Sequence, residues 1–115
     1  AITARAATPA FVHDIERAGP FGAGNPQPVF AFPAHRVKFA EVVGAAGHVR
    51  FTLAADDGAR LKAIAFRAAV SPLGDALLAA GDAPLHLAGT LSLDHWQGRE
   101  EVQARICDAA RPAPL

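Results

Sequence analysis

His48-Val49-Arg50-Phe51-Thr52-Leu53-Ala54-Ala55-Asp56-Asp57-Gly58 carries the most regular pattern in this chain of 115 residues. Val49, Phe51 and Leu53 alternate with His48, Arg50 and Thr52, the period of two that a strand shows when one face is buried and the other wet. Asp56-Asp57-Gly58 then supplies a hairpin turn, and Ala59 to Arg67 form the returning strand. Towards the N-terminus, Gly44-Ala45-Ala46-Gly47 is a second turn. Before it Val37 and Phe39 alternate with Arg36 and Lys38, so a first strand is expected with Val37 and Phe39 inward and both cations outward.

Towards the C-terminus, Ser71-Pro72 opens a helix expected over 71–80, the serine capping free amides and the proline suiting the first helical position. Leu73, Leu77 and Leu78 make its buried face and Gly81 ends it. Leu85, Leu87, Leu91 and Leu93 mark a fourth strand, with Gly89 where a bend or bulge belongs. The tip His95-Trp96-Gln97-Gly98 turns the chain. Val102, Ala104 and Ile106 then alternate with Gln103, Arg105 and Cys107 as a fifth strand. Upstream, Thr8-Pro9 followed by 10–18 reads as a short helix by the same cap-then-proline logic, with Phe11, Val12 and Ile15 as a narrow apolar stripe that needs a partner.

The succession of three strands, a helix and two strands predicts a mainly β protein: a five-stranded oligonucleotide-binding (OB) barrel, one capping helix between strands three and four, and a short N-terminal helix. A different small barrel, or an open sheet with one helix, is the alternative. The division expected is 1–28 as N-terminal helix and Gly/Pro-rich connector from a preceding domain, 29–110 as the barrel and 111–115 as a frayed tail. Three glycines and three prolines within 19–28 keep any helix or central strand from running through the connector.

Composition agrees with one globular domain: 51% of residues are hydrophobic and 19% charged, which excludes disorder along the whole chain. No apolar run approaches the roughly 20 residues of a membrane span, and no secretory leader opens the chain. The single cysteine, Cys107, offers no internal disulfide and no cysteine-rich zinc site, consistent with a reducing, cytoplasmic setting. The absence of Met, even at position 1, points to a processed product or a fragment of a longer protein, and a fragment is the expectation. Lys plus Arg number 11 and Asp plus Glu 11, yet the charges segregate along the chain. Arg36, Lys38, Arg50, Arg60, Lys62 and Arg67 outnumber Glu41, Asp56 and Asp57 over 34–67, whereas acids dominate over 75–108. An electrically two-sided molecule follows if chain order maps onto space.

Glu16-Arg17-Ala18-Gly19-Pro20-Phe21-Gly22-Ala23-Gly24-Asn25-Pro26-Gln27-Pro28-Val29-Phe30 resembles the junction in the RecJ family of single-strand-specific DNA exonucleases, where the phosphoesterase core passes into its OB domain. Gly47-His48-Val49-Arg50-Phe51, Ala63-Ile64-Ala65-Phe66, Trp96-Gln97-Gly98 and Val102 to Asp108 are similar to that family's OB segments in order and spacing. The resemblance implies a parent that degrades single strands 5′ to 3′ in DNA repair and recombination, using Mn or Mg held by an Asp-His-His core. Those core motifs are absent here. Asp94-His95-Trp96 lacks the second histidine, so no catalytic residue, metal ligand or cofactor is assigned to this chain, which is expected to be a DNA-holding accessory domain and not itself an enzyme.

Other constellations read more simply as structure. Gly22-Ala23-Gly24 lacks the third glycine of a dinucleotide loop and the Gly-Lys of a phosphate loop, so it is read as a connector. His13, His35, His48, His86 and His95 fall on different elements without ligand spacing. Glu100-Glu101 would point to opposite faces of a strand, Asp56-Asp57 suit a turn, and Ser71 is a cap.

The basic strands remain. If Val49, Phe51 and Leu53 fill the barrel, His48 and Arg50 face outwards beside Arg36 and Lys38. Arg60 and Lys62 share a face of the third strand with Ile64 and Phe66, which leaves its register open. OB barrels bind along strands two and three and the loops joining strands one to two and four to five, and grooves for single strands combine cations with stacking aromatics. The candidate DNA-binding residues are therefore Arg36, Lys38, His48, Arg50, Arg60, Lys62, Trp96 and Arg99, with Trp96 as the stacking residue. Four phosphate contacts imply a logarithmic salt slope of about −3, at roughly 0.7 per contact. The expected partners are single-stranded DNA, the parent's nuclease core and single-strand-binding or other repair proteins, with no membrane. The alternative function is a protein-interaction module docking on that core or on a repair partner.

Overall fold

Five strands close into a barrel in the order β1–β2–β3–β5–β4: β1 (Phe30–Val43), β2 (His48–Ala54), β3 (Arg60–Ala65), β4 (Leu85–Trp96) and β5 (Arg99–Ala110). Helix α1 (Pro9–Arg17) precedes them and helix α2 (Pro72–Leu78) lies between β3 and β4. The computed structural model describes residues 1–18 and 27–112, apart from the Trp96 side chain. Most of the Gly/Pro connector, 19–26, and the last three residues lie outside the described residues.

The chain closes because β1 bends twice. Its first half pairs with β4 and its second half with β2. Between Phe32 and His35, two residues of β1 oppose one of β4. Pro33, which lacks an N–H, and Ala34 at φ 53° occupy that bulge. Between Lys38 and Glu41, Phe39 and Ala40 likewise oppose one residue of β2. Phe39 holds φ 57° there, the left-handed conformation that such a bulge ordinarily gives to glycine and that costs another residue about 1–3 kcal/mol. Ring closure is completed by β3 and β5, which pair in parallel.

The interior follows the alternation expected of β2 and β5. Val49, Phe51, Leu53, Val102, Ala104 and Ile106 are buried, with Phe32, Val37, Leu61, Leu85, Leu87 and Leu91 beside them. Alanines line the parallel seam, where Ala63, Ala65 and Ala104 are fully inside, and larger side chains from β1, β2 and β4 fill the space they leave. Gly89 sits at the β4–β5 irregularity, where a Cβ would come within 2.2 Å of the Arg105 carbonyl oxygen. The hairpin tip is tighter than its sequence suggests. β4 runs on through Trp96, and only Gln97 and Gly98, at φ 50° and 76°, make the turn.

Both helices start as their sequences dictate. The Thr8 hydroxyl accepts the Phe11 N–H at 3.2 Å, and the Ser71 hydroxyl accepts that of Gly74 at 3.1 Å. The apolar stripe of α1 packs on the barrel itself: Val12 is buried, and with Ile15 it lines a crevice against Phe30 and Leu91. The first residues are also fixed. Ala4 and Ala7 are buried, Ile2 donates its N–H to the Ala31 carbonyl at 2.9 Å, and Ala4 donates to Nε2 of His35 at 3.0 Å. His35, 2% exposed, donates from Nδ1 to the Pro33 carbonyl at 3.0 Å, so both ring nitrogens are satisfied.

One expectation fails in β1. Phe39 is not a core residue: the bulge turns it outwards and leaves it 72% exposed.

Candidate nucleic-acid interface

Strand pairing places the outward side chains of four strands in rows. Lys38 lies opposite Thr52, Thr52 opposite Lys62 and Lys62 opposite Gln103. The next row runs Glu41, Arg50, Ile64, Arg105. The register of β3 is thereby fixed: Arg60, Lys62 and Ile64 face outwards, and Leu61, Ala63 and Ala65 inwards. A groove of about 310 Å³ crosses this face, walled by Phe39, Glu41, Arg50, Thr52, Lys62 and Gln103.

Of the cations predicted to bind, Arg36, Lys38, Arg50, Arg60 and Lys62 are on this face, and four of them already hold a carboxylate. Arg36 pairs with Asp56 at 2.5 Å, Lys38 with Asp82 at 2.6 Å, Lys62 with Glu101 at 2.5 Å, and Arg50 with Glu41. Two of these pairs join the basic stretch of sequence to the acidic one, because the parallel β3–β5 seam and the α2–β4 connection bring the stretches together. The segregation along the chain therefore does not survive as two charged sides. Lys38 holds the Asp82 carboxyl below the ordinary carboxylate range. At the β2–β3 turn Arg5 does the same to Asp57, aided by the Ala59 N–H.

The remaining candidates behave differently. Arg60 makes no ion pair among the described residues and lies over the Phe39 ring, 5.7 Å from its centroid. His48 accepts the Arg67 N–H on Nδ1 at 2.9 Å and sets its ring edge-on to Phe66, centroids 5.0 Å apart. Trp96 and Arg99 are paired across the two-residue β4–β5 turn, beside this face and not within it; the Trp96 side chain lies outside the described residues. The N-terminal helix reaches the same hairpin, where His13 Nε2 meets a Glu100 carboxylate oxygen at 2.6 Å.

Sequence reasoning missed two aromatic positions. Phe66 is 49% exposed with Arg105 over its ring at 5.1 Å; the alternation puts it on one face with Arg60, Lys62 and Ile64, but with the register of that strand open in the sequence it is given no part in binding. Phe39 gave no such signal, since no glycine marks its bulge. Among the described residues no three His, Cys, Asp or Glu side chains gather where a metal ion could be held. No helix among them is long and apolar enough to cross a membrane.

A closed barrel of five strands with a helix between the third and fourth, and a basic, aromatic face across β1–β2–β3, defines an OB domain. The particular kind follows from the sequence itself: the family model described as the RecJ OB domain matches residues 1–108, and the chain belongs to that family. Among solved structures it is similar to RecJ from Thermus thermophilus in complex with Mn2+, at 25% identity and a TM-score of 0.63 over 93% of this chain and 14% of that one. The Mg2+ complex of RecJ from the same organism matches at 22% identity and TM-score 0.63, over 93% of this chain and 15% of that one. A small single-stranded DNA-binding protein from Streptomyces coelicolor, at 20% identity and TM-score 0.47 over 72% of this chain and 89% of that one, is too distant to bear on function. No curated protein is significantly similar in sequence. The chain spans about one-seventh of the length of the RecJ structures it matches.

Proposed function

We propose that this domain holds single-stranded DNA, without cutting it, for a RecJ-like 5′-to-3′ exonuclease of DNA repair and recombination whose Mn or Mg chemistry resides elsewhere in the parent. The observation that carries the reading is the grooved outer face of β1, β2, β3 and β5, where Arg36, Lys38, Arg50, Arg60 and Lys62 converge with exposed aromatic rings. Trp96 and Arg99 extend it onto the β4–β5 hairpin. The Mn2+ complex of the Thermus RecJ supports a metal-dependent parent.

The ion pairs change the energetics expected of such a face. A phosphate arriving at Arg50 displaces Glu41, and the freed carboxylate gathers its own counterions, which offsets those the DNA releases. Arg60 and Arg105 of this face, and Arg99 on the adjoining hairpin, are without a carboxylate partner among the described residues. Three contacts at roughly 0.7 each give a logarithmic salt slope of about −2 in place of −3. Fluorescence anisotropy of a labelled oligothymidylate across a salt series measures it, and a domain that fails to bind even at low salt refutes the reading. A second reading, docking on the nuclease core or a repair protein, has its own support in a cavity of about 770 Å³ walled mainly by alanines with Pro84, Leu85 and Pro112, together with Asp75 and Arg111. A mostly apolar contact through that surface is expected to change less with salt than binding to DNA phosphates.

A further inference from the structure

We propose that Phe39 and Phe66 are two separate nucleobase-stacking positions, each furnished with its own arginine, and that one DNA strand engages both. The inference rests on the reading of this face as a single-strand site. An isolated exposed phenylalanine needs no explanation, but these two are held in a particular way. Phe39 faces solvent only because its backbone adopts a left-handed conformation in a bulge. The His48 ring stands perpendicular to that of Phe66, with centroids 5.0 Å apart, and is itself fixed by the Arg67 N–H. Above the rings lie Arg60 at 5.7 Å and Arg105 at 5.1 Å, two cations of this face that no carboxylate neutralises among the described residues. A base that takes the guanidinium's place on either ring, or the ring's other face, has that guanidinium within reach of its phosphate, a pairing of aromatic and arginine suited to single strands.

Their spacing sets what the site accepts. Phe39 is level with Phe51 on β2, by the pairs Lys38–Thr52 and Glu41–Arg50. Phe66 follows Ala65, which pairs with Val49, and so is level with His48. Two strand spacings of about 4.8 Å and three residues of about 3.3 Å separate the two backbone positions by about 14 Å. Stacked bases rise about 3.4 Å each, so the two rings take bases about four steps apart in a stacked strand. Arg50 and Ile64 lie on the path between them. A dinucleotide reaches one ring, whereas a hexamer reaches both.

The test measures binding of oligothymidylates two to twelve nucleotides long, and of an abasic deoxyribose-phosphate oligomer, to the whole chain by anisotropy and competition. Phe66→Ala and Phe39→Gly, the latter relieving the left-handed backbone, are each expected to weaken the twelve-mer roughly 5- to 150-fold at unchanged salt slope. The abasic oligomer is expected to bind the parent and both variants alike, and the gain in affinity from dimer to hexamer to vanish in either variant. If both variants bind the twelve-mer as the parent does, stacking at these rings is overturned while DNA binding by the face stands. Equal losses for the abasic oligomer also overturn it, by placing the effect on the backbone path. A parent that binds neither oligomer removes the stacking proposal and the single-strand reading together.

Discussion

The β2–β3 hairpin and the bulged half of β1 lie side by side on one outer face, yet they present opposite chemistry. The hairpin keeps strict alternation, and of its outward cations Arg50 and Lys62 each find a carboxylate, while Arg60 finds none among the described residues. In β1 the alternation breaks and turns out an aromatic ring with an arginine over it. Regular pairing produces a charged but largely self-neutralised surface; the irregularity exposes an aromatic surface still open to a ligand.

The contrast is tested most strongly on stability. Phe32 and Phe39 belong to the same strand, one 0% and the other 72% exposed. Phe32→Ala empties the barrel and is expected to cost about 3–5 kcal/mol, lowering the thermal midpoint by roughly 10–30 °C. Phe39→Gly is expected to stay within about 1 kcal/mol of the parent, because relief of the left-handed backbone offsets the greater freedom of the unfolded chain. Comparable losses in calorimetry for the two would show that Phe39 is a packing residue and erase the distinction.

On binding, Trp96→Ala is expected to weaken single-strand affinity by about 1–3 kcal/mol with no change in salt slope. Unaltered affinity in the anisotropy assay would leave the hairpin outside the site. A smaller effect has the opposite sign. Glu41→Gln releases Arg50 and is expected to strengthen binding by up to about fivefold at low salt, the value of an exposed pair being at most about 1 kcal/mol. The slope steepens by roughly 0.7. Adding Arg50→Ala should cancel both changes; if it does not, Glu41 acts on something other than Arg50.

The smallest effects belong to the remaining pairs. Lys62→Ala is expected to change unfolding free energy in urea by less than about 1 kcal/mol. Asp82→Asn releases Lys38 and steepens the salt slope, whereas acidification from pH 7 to 5 does not. Lys38 lowers the Asp82 pKa below its ordinary value of 3.8, so the pair's contribution is complete above that value and is lost only as pH falls through the lower, folded one. Release of Lys38 at pH 5 would contradict this.

What could be read from the sequence was local. The caps at Thr8 and Ser71, the alternation of β2 and β5, the turn at Gly58 and the strand order all depend on residues a few positions apart, and the structure follows them. What could not be read depends on distant pairing. Lys62 meets Glu101 across a parallel seam between strands that are not consecutive, and the stripe of α1 finds its partner in Phe30 and Leu91. Phe39 is a third kind of failure, since its bulge bears a residue whose type disguises its conformation. The candidate cations were identified by position, but their neutralisation was not.

The link between Ala4 and His35 has a consequence on another timescale. Chain ends usually fray, and their amides exchange with solvent hydrogen as fast as those of an open peptide. Here the fourth amide is bonded to a histidine buried in the first strand, so its proton is released only when the His35 contact opens. Deuterium uptake at Ala4 is therefore expected to follow the slow opening of the barrel and not the fast motion of a tail, making one proton near the start of the chain a reporter of whether the whole cylinder is closed.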